Sequence, residues 1–237
     1  YLVPGGRPAA AARRFLQMTR APAFKRLAWH ELPDGLTVFH LNANETTYLY
    51  QGIFQEREYL RHGIALPEGA CVFDVGANIG LFSLLAARLS PGARIFAVEP
   101  LPPIAEVLRA NAQLHGLNAR VLEMGMGREE GHASFAFYTH LSLVSGRYPD
   151  RELEKRVVRA FVRDQLRAEA GGDLSDALLE ELLDERLAAR DYPAEVRTLS
   201  AIIREHGVER IDLLKIDVQR SELDVLAGID DGDWAKV

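Results

Sequence analysis

The sequence predicts an α/β fold: a mostly parallel sheet with helices on both faces, a helical extension before it and a helical insertion within it. Three observations carry this. From Cys71 onward, short apolar runs of strand length alternate with runs of helical spacing. A glycine-bearing turn, Gly76-Ala77-Asn78-Ile79-Gly80, directly follows the first of those strands. One stretch, about 150–190, keeps helical spacing but interrupts the alternation.

Taken in order, residues 1–35 read as a linker and N-terminal helical extension, since Pro4, Gly5, Gly6, Pro8 and Pro22 surround an alanine run. Residues 36–237 read as the core. A β-rich run at 36–41 follows the turn signal Pro33-Asp34-Gly35. Residues 45–62 read as helical, with Tyr48, Phe54 and Tyr59 among charged residues. Strands are expected at 71–75, 94–98, 120–124 and 211–218, and helices at 81–89, 104–115, 199–205 and 223–229. Short apolar strands between helices are the pattern of a parallel sheet buried on both sides. In the insertion, Leu153, Val157, Phe161 and Val162 share one side of a first helix. Leu178, Leu179, Leu182 and Leu183 share one side of a second, beyond Gly171-Gly172. Extra solvated helices and a lid both fit that pattern.

Composition narrows the function. Of 237 residues, 48% are hydrophobic and 26% charged, as in ordinary globular domains. A net charge of -6 disfavours the phosphate backbone, so no nucleic-acid partner is expected. Cys71 is the single cysteine, which excludes an intrachain disulfide and a cysteine zinc site and suits a reducing cytoplasm. No apolar run approaches the roughly 20 residues that span a bilayer, and no membrane partner is expected. The alanine run is broken by Arg13 and Arg14, so it does not read as a signal peptide. The opening at Tyr1 reads as a piece of a longer chain.

The turn after the first strand carries the cofactor argument. Its spacing is Gly-x-Asn-x-Gly, not the Gly-x-Gly-x-x-Gly of dinucleotide folds. Asp74 stands two residues before Gly76, where a carboxylate repels a pyrophosphate but accepts hydrogen bonds from a cationic amino-acid tail. S-adenosylmethionine has such a tail and no phosphate. Glu99, 19 residues after Gly80, ends the second strand, where a carboxylate accepts both ribose hydroxyls. Asp74, Gly76, Asn78, Gly80 and Glu99 are therefore the expected cofactor residues. Gly125 and Met126 are expected under the adenine, since a thioether packs well against an aromatic ring. Each has a plain structural alternative: turn glycines, an N-cap aspartate, a surface glutamate and core methionines.

At the reacting end, Asp217 closes an otherwise apolar strand that also holds Lys215. Ligands of open α/β sheets sit beyond the carboxyl ends of the strands, so Asp217 is expected to orient the acceptor hydroxyl or to act as base. A carboxylate paired with Lys215 is the structural alternative. His62 and His140 are further candidate bases, chosen because imidazole titrates near neutrality. No metal ligand set is expected.

The pairing of Val72-Phe73-Asp74-Val75-Gly76-Ala77-Asn78-Ile79-Gly80 with Asp212-Leu213-Leu214-Lys215-Ile216-Asp217-Val218 resembles the two signatures of the FkbM family of methyltransferases. The resemblance runs over about 33–237 and implies a class I, Rossmann-like methyltransferase fold. The family usually follows its second signature with Glu-Gly; here Gln219-Arg220-Ser221-Glu222 stands instead. That form is similar to the branch embedded in modular polyketide synthases and mixed peptide–polyketide assembly lines. So are Asn44-Glu45-Thr46, His62-Gly63-Ile64 and Ser145-Gly146-Arg147-Tyr148. The resemblance implies O-methylation of a hydroxyl on an acyl chain tethered to an acyl carrier protein, with neighbouring synthase domains as further partners. It also implies a further strand ending Glu-Val-His, whose histidine is the family's suspected base. This sequence stops before it, at Trp234-Ala235-Lys236-Val237, so the C-terminal strands are expected to be missing. Arg151, Lys155, Arg156, Arg159 and Arg163 are expected to form a basic patch for an acidic carrier protein. Two other readings remain open: a stand-alone sugar or natural-product O-methyltransferase, and a non-catalytic interaction module of the same fold.

Overall fold

Alternation along the apolar strands builds two cores, one on each face of a single sheet. In a computed structural model, which describes residues 14, 15, 17, 18, 26–156, 158, 159, 179, 180, 183, 184 and 187–237, the central sheet consists of β3 (Cys71–Val75), β4 (Arg94–Val98), β5 (Ala119–Leu122) and β9 (Leu213–Ile216). Its order is β5-β4-β3-β9, and every pairing is parallel. Val72, Ile95 and Ala97 point to one face, under helices α2 (Leu81–Leu89) and α3 (Pro102–His115). Phe73, Val75, Phe96 and Val98 point to the other, against α4 (Leu199–Glu205) and α5 (Glu222–Ala227). The two-residue period of the strand thus gives each face its own apolar set.

The N-terminal part differs from its reading as linker and helical extension. Arg14, Phe15, Gln17 and Met18 are helical, but β1 (Ala28–Glu31) pairs antiparallel with β2 (Thr37–His40) across residue 35. The boundary drawn there runs through a hairpin. Buried Asn111 of α3 fastens that hairpin to the core. It accepts from Phe39 N at 2.7 Å and donates to the carbonyls of Phe39 and Ile79 at 3.0 and 2.8 Å. The expected helix at 45–62 is divided into α1 (Ala43–Tyr50), a π-helical turn at Gln51–Gln55 and a 3-10 turn at Glu58–Leu60.

A second sheet interrupts the parallel pattern. Strands β6 (Gly125–Met126), β7 (Gly131–Tyr138) and β8 (Ala189–Arg197) lie in the order β6-β8-β7, with β7 and β8 antiparallel over eight residue pairs. Strand β8 begins inside the stretch assigned to the helical insertion. Leu179, Leu183 and Val158 pack with Leu187 against Ala136 and Tyr138 of β7. The described residues of the insertion therefore pack on the small sheet. Val157, Phe161, Val162, Arg163, Gly171, Gly172, Leu178 and Leu182 lie outside the described residues, as do Pro4, Gly5, Gly6, Pro8, Arg13 and Pro22.

Candidate active site

The carboxyl ends of β3, β4 and β9 open into a cleft of about 860 Å³, counting its mouth. At its centre the chain leaves β3 through Gly76, whose φ of +74° suits glycine. A Cβ there would overlap the Asp217 carbonyl oxygen and lie 2.8 Å from its carbon. Glycine lets the ends of β3 and β9 touch. The next peptide turns back onto β4, with the Gly76 and Ala77 amides both donating to the Val98 carbonyl, at 3.0 and 2.9 Å.

Glu99 lines one end of the cleft and is 5% exposed. Its Oε2 accepts from the Asn78 amide at 3.1 Å, and its Oε1 from the Leu101 amide at 3.1 Å. Burial pushes its carboxyl up to about 7 despite those two backbone donors, which favour the charged form. Each oxygen keeps lone-pair capacity beyond these bonds. Asn78 is left-handed at φ 49°, and its Oδ1 accepts from the Ile79 amide at 2.7 Å, a local bond that suits asparagine to this turn. Leu101, Ile104, Met124, Gly125, Met126 and Phe135 add an apolar slot beside Glu99.

Asp217 lines the other end. Its Oδ2 accepts from the Tyr59 hydroxyl at 2.6 Å. Burial, and next the Asp217 carboxylate itself, hold the Tyr59 phenol well above its ordinary value, so it is a neutral donor. Leu49 and Ile53 give this end an apolar wall. Ser142, Leu143, Ser145 and Gly146 also line the cleft. Buried Glu45 holds that segment by accepting from the Ser142 hydroxyl at 2.7 Å.

The structure brings Gly76, Asn78, Glu99, Gly125, Met126 and Asp217 to one cleft and excludes four expected residues. Asp74 does not reach it: the side chain is fully buried, with Oδ1 3.0 Å from Lys215 Nζ and Oδ2 accepting from Ser83 Oγ at 2.7 Å. It is a floor strut, because it lies inside β3 and faces the neighbouring strand's lysine. Gly80 caps α2 at φ 89°, a Cβ there would lie 2.6 Å from Leu108 Cδ1, and the residue does not line the cleft. His62 and His140 are both exposed and outside the cleft. His140 faces the surface at the end of β7, where its carbonyl accepts from Asn42 Nδ2 at 3.3 Å. The expected basic patch is also changed. Arg151 donates to Asp184 at 3.0 Å, Lys155 reaches Asp184 at 2.7 Å and Glu180 at 3.3 Å, and Arg159 pairs with Glu180. Those cations are answered by the insertion's own acids.

Two residues escaped sequence reasoning. Tyr59 read as one more aromatic on an amphipathic helix, and nothing local marks a partner 158 positions away. Lys215 was weighed as a partner for Asp217, but it pairs with Asp74 and donates to the Gly76 carbonyl at 2.6 Å. Strand register decides it: the parallel pairing of β3 with β9 sets Lys215 beside Asp74, and Asp217 lies past the end of β9.

The donor set suits a nucleoside. Glu99 offers acceptors for vicinal hydroxyls, and the Met124–Met126 slot offers apolar surface for a base. The charged side chains lining the cleft are Glu99, Asp217 and Lys215, and the Lys215 ammonium is committed to Asp74 and to the Gly76 carbonyl, which leaves two carboxylates facing any pyrophosphate. Among the described residues no group of three or more His, Cys, Asp or Glu is placed to hold a metal ion.

Comparison with known proteins gives the same direction. The family model described as "Methyltransferase FkbM domain" matches residues 74–237. Over 234 residues the chain is 44% identical to the AMB antimetabolite synthetase AmbE of Pseudomonas aeruginosa, covering 97% of this chain and 11% of that protein. It is 41% identical over 206 residues to the 31-O-demethyl-FK506 methyltransferase FkbM of Streptomyces tacrolimicus, covering 87% and 77%. With methyltransferase sdnD of Sordaria araneosa, identity is 32% over 216 residues, covering 86% and 76%.

Proposed function

The chain belongs to the FkbM family of methyltransferases, and from that premise we propose that it methylates a hydroxyl of an acyl chain carried by an acyl carrier protein in a polyketide or mixed peptide–polyketide assembly line. The methyl donor is S-adenosylmethionine, which supplies an electrophilic methyl group on a sulfonium when bound. Glu99 would accept the ribose hydroxyls, the Gly76–Asn78 turn would stand beside the nucleoside, and Met124–Met126 would face the base. At the other end the acceptor oxygen must lose its proton as the new O–CH3 bond forms, and Asp217 is the carboxylate placed to take it. Leu49 and Ile53 supply apolar surface for the acyl chain.

The observation that carries oxygen methylation is the placement of Asp217: it lines the cleft and its partner is a neutral phenol, not a lysine. The likeness to a protein named for an O-demethyl substrate supports the same reading. Carrier delivery is supported by the match to a stretch of a synthetase of which this chain spans 11%. A released natural product as acceptor is the second reading, favoured by the 77% coverage of a methyltransferase whose name carries such a substrate.

The test offers one hydroxyacyl group on a carrier protein and on a short free thiol, at equal concentration, with mass spectrometry reading the gain of one methyl group. Faster transfer on the carrier is expected, since tethered delivery relieves the cleft of binding the chain tightly. Equal rates would contradict carrier delivery. In the same assay Asp217→Asn should lower turnover about 100-fold while S-adenosylhomocysteine affinity changes about twofold or less. Retained turnover would remove Asp217 from the chemistry.

A further inference from the structure

A carboxylate that takes a proton during transfer must be held in one orientation and must not be neutralised by a neighbouring cation. The cleft meets both needs with residues that start far apart in sequence. We propose that Tyr59 is a positioning residue that aims the Asp217 carboxylate at the acceptor, while the cofactor turn keeps Lys215 away from it.

The geometry is specific. Lys215 is 7% exposed, and its ammonium is committed to Asp74 Oδ1 at 3.0 Å and to the Gly76 carbonyl at 2.6 Å. It also lies over the Tyr59 ring, whose centroid is 5.2 Å away. The ring also packs edge-on to Phe82 at 5.3 Å. The phenol is thus fixed by the cation on its face and by Phe82, and its hydroxyl reaches Asp217 Oδ2 at 2.6 Å. Among the described residues no other side chain hydrogen-bonds to Asp217, so Oδ1 is left for the acceptor proton. A run of side chains, Ser83–Asp74–Lys215–Tyr59–Asp217, therefore joins the floor of the cofactor turn to the reacting end.

The path that delivers Tyr59 is irregular in a way that fits such a role. Helix α1 passes into the π-helical turn at Gln51–Gln55, Arg57 adopts φ 51°, and the 3-10 turn Glu58–Leu60 then carries the tyrosine inward. π-helical turns recur at functional sites, and a non-glycine residue in the left-handed region is held there only by its surroundings.

The inference rests on Asp217 being the group that faces the acceptor, and the test separates the two. Tyr59→Phe keeps the ring on Lys215 and Phe82 and removes only the hydroxyl. With the hydroxyacyl carrier as substrate, kcat should fall about tenfold or more, with S-adenosylhomocysteine affinity within about twofold. Combined with Asp217→Asn, it should cost nothing further, because Tyr59 acts through that carboxylate. A wild-type kcat in Tyr59→Phe, or losses that multiply in the double variant, would overturn the proposal. A second arm needs no acceptor. With 13C-labelled aspartate, the Asp217 carboxyl resonance, assigned by its loss in Asp217→Asn, should move in Tyr59→Phe. An unmoved resonance also overturns the proposal, whereas a moved resonance in a protein that methylates no thioester supports it and sinks only the proposed acceptor.

Discussion

The two ends of the cleft are built by different means. The Glu99 end is made from the backbone of neighbouring residues: Gly76, Ala77 and Asn78 turn within three positions and bond to Val98 and Glu99 of the next strand. The Asp217 end is made from side chains that meet across long separations, with Tyr59 on Asp217, Glu45 on Ser142, and Arg220 on Glu154 at 2.7 Å. A backbone-built end recognises a fixed shape and tolerates little change, as an invariant cofactor requires. A side-chain-built end can be altered one residue at a time, as a variable acceptor requires.

That contrast can be broken by mutation. The largest expected effect is at Gly76, where the two ends touch. Gly76→Ala forces a Cβ into the Asp217 carbonyl at a φ of +74° and should cost at least about 3 kcal/mol of stability. Denaturant unfolding reads it, and S-adenosylhomocysteine binding should be lost as well. A stable, binding Gly76→Ala protein would show that the turn is not rigid.

Glu154 gives the next effect, and it should fall on one end only. This carboxylate is 4% exposed and accepts from the Tyr138 hydroxyl, the Asp150 amide and the Arg220 guanidinium. Arg220 sits at φ 74°, next to Gln219 at φ 52°, so two consecutive non-glycine residues hold left-handed backbone beside the cleft. The family's usual glycine at the second of these positions would adopt that conformation freely; here the bond to Glu154 ties the loop to the first insertion helix. Glu154→Ala should cost about 1–3 kcal/mol by orphaning the buried Tyr138 hydroxyl, and leave S-adenosylhomocysteine affinity unchanged in titration.

Gly146 should show the smallest change. An added Cβ would stand 3.1 Å from Gln219 Cβ, so the Gln219 backbone would have to shift by a few tenths of an ångström. Gly146→Ala should cost about 1 kcal/mol and raise the acceptor KM without moving cofactor affinity. A change in cofactor affinity alone would place Gly146 at the wrong end.

The same contrast explains what the sequence made legible. The boundaries of β3, α2 and β4 coincide with the apolar runs because each is short, buried and bounded by a turn signal within a few residues. The Gly-x-Asn-x-Gly turn and Glu99 needed only spacing to be found. Strands β7 and β8 did not show, because β8 is largely exposed and carries Arg190, Asp191, Pro193 and Glu195, which read as loop or helix. Their partnership is set by tertiary pairing, as at Ser134 with Pro193. His62 and His140 were chosen for their chemistry alone, and the fold leaves both on the surface. Asp74 stands in the expected strand, but the parallel register sets it beside Lys215, and it does not line the cleft.

The claim that Glu99 and the turn beside it form the nucleoside end is tested most directly by calorimetric titration of S-adenosylhomocysteine. Glu99 is pushed up to about 7 by burial, and its ionised form is the one that accepts two hydroxyl donors. Wild-type affinity should therefore rise from about pH 6 to about pH 8 as that carboxyl loses its proton. Glu99→Ala should lose about 1.5–3 kcal/mol at the upper pH and show a flat profile. Unchanged affinity in Glu99→Ala, or the same pH dependence with and without the carboxylate, would contradict the account.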